Sequence, residues 1–439
     1  MKNQIISNII QSFIEKFFVI GSQLILSILL VRLLDREDYG IVGVVVGYYV
    51  FVNFVNISLE AIILRDHKKY SLNLDNYFIN FFAFSVVKSI CFVLLSGMIA
   101  IILVGTHDNQ NFIYSIISVT VILIADSLVA PILIYTTSTF KQKVVTKIAM
   151  ARAIINVILT CGLFVFPSLK YIAIKDCIVS VLYIVFWVIY AKGQINYSKV
   201  MNLSNYDYGF IKKSLLGYSL WTHLNGVVTS FIYRSDMFFL SFFTSLSAIG
   251  DYNIALNSAN VANIVPMIFG YQNSVALSHA KDIEQANHIT NTFIRISIYV
   301  GVLTVFGFVF LGKIYLYLMT GQSNVDVIYS YMLPIVIGLV IVKTFASPLN
   351  AYINIKGSVN SLFKSVLIPV FVVTILSYLL SSFYLGPSGV ALANILVAMI
   401  WLILIIKEIK KYHYNFASVV SFGEDIQFVR RLLVNANKR

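Results

Sequence analysis

The chain has 439 residues, of which 59% are hydrophobic and 12% charged, and its mean hydropathy is +0.85. Soluble domains carry about 25% charged and about 45–50% apolar residues, so the composition excludes a soluble enzyme and implies a polytopic membrane protein. A formal charge of +13 and a pI near 9.4 admit either a nucleic-acid surface or the Lys/Arg excess of cytoplasmic loops, and the placement of the charges decides between them.

A membrane helix needs about 20 apolar residues. In chain order, about twelve stretches qualify: 13–34, 41–64, 77–104, 112–138, 148–166, 171–191, 215–243, 250–279, 291–311, 327–353, 359–384 and 390–407. The first is long, is followed by more apolar sequence and lacks a small-residue cleavage site, so a retained N-terminus is expected. Short polar linkers separate the spans, among them Asp35-Arg36-Glu37-Asp38 and Gly105-Thr106-His107-Asp108-Asn109. The longest internal linker, about 192–214, carries Lys192, Lys199, Lys212 and Lys213 and reads as the joint between two halves. The expected fold is all-α, with two six-helix bundles at 1–200 and 201–407 and a basic tail at 408–439 lying on the inner membrane surface.

With the N-terminus inside, 22 of the 32 Lys and Arg residues fall on cytoplasmic segments, against Arg36, Lys170 and Lys313 outside. This asymmetry predicts cytoplasmic termini and accounts for the pI without a nucleic-acid partner. Cys91, Cys161 and Cys177 lie in apolar stretches without CxxC spacing and read as packed small hydrophobes. The aromatic residues, 14% of the chain, are spread along the spans and read as lipid-facing and interfacial material.

The halves repeat. Leu33–Ile41 matches the pattern of Phe243–Asp251 at an offset of 210, and Pro131–Tyr135 matches Pro348–Tyr352 at an offset of 217. Six spans separate the equivalents, so the repeats share orientation and are expected to be related by a pseudo-two-fold axis along the membrane normal, around a cavity.

Charges within spans are costly and mark function or pairing. Lys88 and Asp126 fall near the middle of adjacent spans and are expected to pair, as a structural contact or as part of a substrate or ion pathway. On the seventh span, His223, Val227, Ser230 and Arg234 share one face, and Asp236 sits about 200° from Arg234. One of these two charges therefore faces a cavity and the other a neighbouring helix, and Arg234 is assigned to the cavity. Lys343 is a second deep cation, or a partner for Asp236. On the eighth span Asn253, Asn257, Asn260 and Asn263 lie within about 120°, as helix glue or as a stripe for sugar hydroxyls. Their offset equivalents Gly43 and Gly47 read as packing residues, and Asn53, Asn56 and Glu60 extend the polar side. Arg152, Lys175, Asp176 and Arg295 are read near span ends, with Arg152 and Arg295 forming a cytoplasmic vestibule. The sequence shows no P-loop lysine, HExxH or nucleophile elbow, and no metal site or cofactor is expected.

Three segments carry a family resemblance. Gly21-Ser22-Gln23-Leu24 through Asp35-Arg36-Glu37-Asp38-Tyr39-Gly40 resembles the first hairpin of Wzx-type polysaccharide flippases. Tyr233-Arg234-Ser235-Asp236, with Leu240 and the Gly250 turn, is similar to the start of their second half. Lys356-Gly357 followed by Gly386-Pro387-Ser388-Gly389-Val390-Ala391-Leu392-Ala393 is similar to their last hairpin. The first half departs from the pattern, with Lys170-Tyr171-Ile172-Ala173 where a glycine turn like Gly386–Gly389 is expected.

The resemblance implies membership of the multidrug/oligosaccharidyl-lipid/polysaccharide exporter superfamily, with alternating access and no enzymatic activity. It further implies a multi-pass protein of the bacterial inner membrane that moves undecaprenyl-diphosphate-linked oligosaccharide to the periplasmic leaflet, for O-antigen or capsule synthesis. Under this reading Arg234, Lys343 and Lys88 meet the diphosphate, while Asn253, Asn257, Asn260, Asn53 and His223 line the sugar path. Asp126, Asp236 and Glu60 couple an H+ or Na+ gradient. Membrane lipid, the polysaccharide polymerase and the chain-length regulator are the expected partners. Two competitors remain: a cation-coupled multidrug exporter on the same fold, which should have a net acidic cavity, and a membrane polymerase or ligase, which should have a sizeable outer loop.

Overall fold

The structure is a computed structural model that describes residues 2–57, 74–139, 141–193, 206–215, 220–263, 266, 273–274, 276–277 and 280–416. Among these residues every regular element is a helix. Seven helical stretches are long and apolar enough to cross a membrane, and Phe18–Leu33 adds a shorter one. The chain is an all-α multi-pass membrane protein, as its composition requires. It divides into two compact units, the first comprising Met1–Ile254, Leu316–Asn324 and Ser382–Pro387, the second Ala255–Tyr315, Val325–Ser381 and Ser388–Arg439.

The first unit is built from α1 (Lys2–Leu33), α2 (Arg36–Val52), α3 (Leu74–His107), α4 (Asn111–Ser138), α5 (Gln142–Thr160), α6 (Leu169–Lys192), the short α7 (Tyr208–Ser214), α8 (Leu220–Phe243) and most of α9 (Leu246–Ala259). Helix α4 packs between α3 and α6, α1 packs on α5, and α2 on α8. Phe78, Ala125, Val129, Ile132, Val145, Ile148, Tyr183, Trp187 and Ala191 form a core shared by α3, α4, α5 and α6. Large apolar side chains such as Val87, Leu94, Ile101, Ile158 and Ile189 remain exposed, as a lipid-facing surface requires. The predicted central linker holds α7, which docks on α3. Phe210 meets Phe81 edge-on at 5.7 Å, the Asp207 side chain caps the helix by accepting from the Phe210 amide, and the Asp207 amide donates to Asn80 at 2.7 Å.

The turn between α1 and α2 anchors one end of this unit. Gly40 has no room for a Cβ because the Leu246 carbonyl oxygen occupies the place, and Gly250 is closed in the same way by the Arg36 carbonyl. The two contacts are reciprocal at the offset of 210 found in the sequence, so α2 and α9 cross about a local two-fold. A Cβ added at Gly43 would stand 3.0 Å from the side chain of its own equivalent, Asn253. The Asn253 amide donates to the Tyr39 carbonyl at 3.0 Å, and Arg36 pairs with Asp251 at 3.4 Å. Gly47, one turn beyond Gly43, admits α8, whose Phe238 nitrogen would stand 2.7 Å from an added Cβ. Burial raises the Asp38 carboxyl, while the Asn111 amide donating to it at 3.1 Å pulls the other way.

The second unit contains α10 (Ile283–Thr320) up to Tyr315, α11 (Asp326–Ile341), α12 (Ser347–Lys356), α13 (Val359–Leu362) and most of α14 (Ile368–Ile409). A π-helical turn at Val342–Ala346 joins α11 to α12, and another at Phe363–Leu367 joins α13 to α14. Each ends two residues before a proline, Pro348 and Pro369. A proline ring crowds the carbonyl four residues earlier and offers no N–H, and a widened turn relieves both. The predicted spans 359–384 and 390–407 are two helical stretches separated within the α14 range at Gly386, whose backbone is non-helical with φ 59° and ψ −144°, ahead of Pro387.

The Gly40 contact generates the first prediction. Gly40→Ala and Gly250→Ala each force a methyl into a backbone carbonyl and should cost about 1–3 kcal/mol, seen as a lower melting temperature in detergent. Gly21→Ala, with nothing within 4 Å of the added Cβ, should leave it unchanged.

Candidate functional site

At mid-depth of the first unit, α4, α5 and α6 bring three polar side chains together. Arg152 Nη1 donates to Asp126 Oδ1 at 2.7 Å, and the same guanidinium lies 4.1 Å over the Tyr183 ring. Asp126 sits about 22 Å along α4, and Arg152 about 15 Å along α5. Their side chains are nevertheless 48% and 26% exposed.

The direction of that exposure follows from helix geometry. Ile113 and Ile117 mark the lipid face of α4, and Ile154 and Ile158 that of α5. At 100° per residue Asp126 lies about 140–180° from the former, and Arg152 about 120–160° from the latter. Tyr183 likewise lies opposite the exposed run Ile174, Ile178, Val181, Val185, Val188 and Ile189 on α6. The pair therefore faces the polar side of the bundle, away from lipid, where charge is tolerated.

This arrangement corrects two expectations. Asp126 pairs with Arg152, not with Lys88, whose ammonium is buried and reaches the Ile57 carbonyl at 3.4 Å. Arg152 also lies midway along α5 rather than at a span end, because α5 starts at Gln142, six residues before the predicted span. Lys175 and Asp176, likewise read at a span end, are buried. They pair with each other at 2.6 Å, Lys175 donates to Asn156 at 2.8 Å, and the Ser118 hydroxyl donates to Asp176. This knot ties α4, α5 and α6 through satisfied charges.

The α8 stripe is turned toward the end of α2. Asn53 donates to the Ser230 hydroxyl at 3.1 Å, and His223 Nε2 lies 2.9 Å from the Phe54 carbonyl. Both residues thus hold α2 to α8, and Arg234 follows one turn along the same face, half-buried. Asp236 faces the neighbouring helix as its 200° offset implies: it is buried, accepting from the Met237 amide at 2.8 Å and the Tyr252 hydroxyl at 2.9 Å. Asn56 is described but lies beyond the helix, and Glu60 lies outside the described residues.

The asparagine stripe does not continue as one face. Helix α9 ends at Ala259, and Asn260–Asn263 form a tighter 3-10 turn, in which Asn263 donates to Asn260 at 3.0 Å. Asn253 donates to the Tyr39 carbonyl, while Asn257 and Asn260 are half-buried. In the second unit Lys343 occupies the π-helical turn before Pro348. Arg295, read as vestibular, is buried, about 18 Å from the start of α10 at Ile283.

Tyrosines are the site residues that sequence reasoning missed. Tyr183 stacks under Arg152. The Tyr49 hydroxyl lies 2.8 Å from Ser96 and 2.5 Å from Thr120 and donates to the Ile116 carbonyl, and Tyr252 holds Asp236. These rings are buried, not lipid-facing, and a heptad-scale tally of apolar runs offers no signal for them beyond their place opposite exposed aliphatics. The cysteines also differ from expectation: Cys161 is exposed, and Cys91 and Cys177 are half-buried.

A family model described as "Polysaccharide biosynthesis protein" matches residues 29–328. No curated protein sequence matches the chain. Among solved structures, an inward-facing multidrug resistance MATE family transporter of the MOP superfamily is similar with a TM-score of 0.65 and 14% identity, covering 93% of this chain and 100% of its own. The lipid II flippase MurJ in an inward closed conformation is similar at 0.64 and 14%, covering 92% and 87%. A MOP superfamily transporter from Pyrococcus furiosus is similar at 0.55 and 13%, covering 94% and 97%. At these identities the likeness establishes the fold, which is that of MOP superfamily transporters.

The mid-depth pair predicts a coupled thermodynamic cycle. Asp126→Ala and Arg152→Ala should each lower stability, and the double variant should fall short of their sum by about 1 kcal/mol, a value set low by the exposure of the pair. Lys88→Ala should be additive with Asp126→Ala in the same melting measurement.

Proposed function

Because the chain belongs to the polysaccharide biosynthesis protein family, we propose that it flips undecaprenyl-diphosphate-linked oligosaccharide repeat units from the cytoplasmic to the periplasmic leaflet of the bacterial inner membrane. The observation that carries this reading is a fixed guanidinium at mid-depth, Arg152, turned away from lipid. A diphosphate drawn through hydrocarbon without compensation is prohibitive. Cations held in a hydrated path, exposed to one side at a time, remove that barrier. Arg234 is assigned as a diphosphate partner because its planar fork suits phosphate oxygens, with Lys343 assisting, and Asn257 and Asn260 bind sugar hydroxyls. The likeness to the lipid II flippase MurJ supports a lipid-linked substrate.

An H+ or Na+ gradient drives the cycle in this proposal, with Asp236 and Asp126 as the candidate coupling carboxylates. Both termini lie in the cytoplasm, following the Lys/Arg asymmetry. The polymerase and chain-length regulator of O-antigen or capsule synthesis act on the delivered product. A second reading, export of cationic drugs, draws on the half-exposed carboxylate of Asp126 and on the MATE neighbours.

In cells lacking the protein, wild-type chain should restore surface polysaccharide. Arg234→Ala should leave lipid-linked repeat units on the cytoplasmic leaflet while the protein inserts normally, and Arg234→Lys should retain partial activity. Normal export by Arg234→Ala overturns that assignment; drug resistance without any change in lipid-linked intermediates selects the exporter. For topology, single cysteines at Asn109 and Ser388 should react with an impermeant reagent from the periplasm, and protection of either reverses the orientation.

A further inference from the structure

Asp126 has a feature that a structural ion pair does not need. Its partner Arg152 is already held over the Tyr183 ring at 4.1 Å, so the guanidinium keeps its place without the carboxylate. The carboxylate accepts from one nitrogen of the fork, Nη1, and its side chain is 48% exposed on the side away from lipid. By contrast the Lys175–Asp176 pair nearby is closed off, with side-chain exposures of 7% and 8%, and its groups are bonded to Asn156 and Ser118. One pair is sealed and the other open.

We infer that Asp126 is an internal placeholder for an anionic ligand at Arg152. A phosphate or diphosphate group exchanges for the carboxylate, engaging the guanidinium fork through two oxygens, while Tyr183 keeps the fork's plane fixed. The released carboxylate stays hydrated at its exposed edge. The pair keeps the empty site neutral within the bundle, and competition by Asp126 keeps the ligand releasable. The helices packed against α4 and α5 carry other polar groups that are already bonded. Helix α3 brings Lys88, whose ammonium reaches the Ile57 carbonyl, and α2 brings Tyr49, whose hydroxyl lies among Ser96, Thr120 and the Ile116 carbonyl. Helix α1 brings Glu15, which accepts from Gln142 at 2.6 Å. This inference rests on the flippase reading for the identity of the anion, and it adds to Arg234 a second diphosphate site in the first unit.

The test is binding of inorganic pyrophosphate and of farnesyl diphosphate to the full-length protein in detergent, by calorimetry, at low ionic strength. Asp126→Asn removes the competitor and should bind about five- to tenfold more tightly than wild type. Arg152→Gln should lose at least about tenfold, and Arg152→Lys should fall between, since an ammonium lacks the fork. A merely structural pair predicts the opposite for Asp126→Asn, weaker binding or none, and that result overturns the exchange, as does unchanged affinity. A folded Asp126→Asn/Arg152→Gln double variant that still binds as wild type also overturns it. Tighter binding of farnesyl diphosphate than of pyrophosphate assigns the site to a lipid head group, and equal binding to a free anion; both uphold the exchange. If Asp126→Asn binds no tighter while Arg234→Ala still blocks export, the exchange fails and the flippase reading stands. If the exchange holds but lipid-linked intermediates never accumulate in any variant, the flippase reading fails instead.

Discussion

The first unit depends on one close crossing, where the backbone of α9 occupies the space that a side chain on Gly40 would need and the backbone of α2 does the same to Gly250. Inside a membrane there is no hydrophobic drive to press helices together, and tight packing of small residues supplies the contact instead. The crossing does that with backbone carbonyls, and it positions everything along α2. Gly43 then rests on Asn253, whose amide is used on Tyr39, and Gly47 admits α8 at Phe238. At the far end of α2, Asn53 and the Phe54 carbonyl meet Ser230 and His223. The face of α8 that carries Arg234 is thus set by glycines more than a turn away.

Polar groups in the rest of the unit fall into two kinds. Some are consumed in holding helices: the Lys175–Asp176 knot, the Tyr49 cluster and the Asp236–Tyr252 bond each satisfy buried groups whose desolvation would otherwise be costly. Others keep a side open. Arg152 and Asp126 belong to the second kind, lying at mid-depth and away from the aliphatic faces of α4 and α5. A transporter needs both, because a bundle made only of sealed pairs offers nothing to a charged substrate, and one made only of open charges would not insert.

Two π-helical turns interrupt the helices of the second unit, and both precede a proline. The π-helical turn around Lys343 rotates the side chains that follow relative to those before it. Facial arithmetic carried through 342–346 from either side therefore misplaces a residue, as it does for the asparagines past Ala259. Such irregular backbone within membrane depth is tolerated where neighbouring protein re-satisfies the freed groups.

Much of the architecture was legible in the residues alone. Apolar runs of about 20 residues determine an all-helical multi-pass chain, because only helices and closed barrels satisfy their backbone in hydrocarbon and barrel strands are about half that length. The offset of 210 between Leu33–Ile41 and Phe243–Asp251 marked the segments that cross, and the placement of Gly43 and Gly47 as packing residues follows from it. The partners of the charges were not legible. Lys88 and Asp126 are at matching depths, yet pairing is chosen by helix rotation and by where each helix begins, and α5 and α10 begin several residues before their apolar runs do. Polar opening turns hide such starts from hydropathy, which is why Arg152 reads as terminal although it lies midway along α5. The tyrosines escaped for a related reason: an aromatic ring is apolar to any sequence measure, and only the packed neighbours of its hydroxyl, as with Tyr252 at Asp236, decide whether it faces lipid or a buried carboxylate.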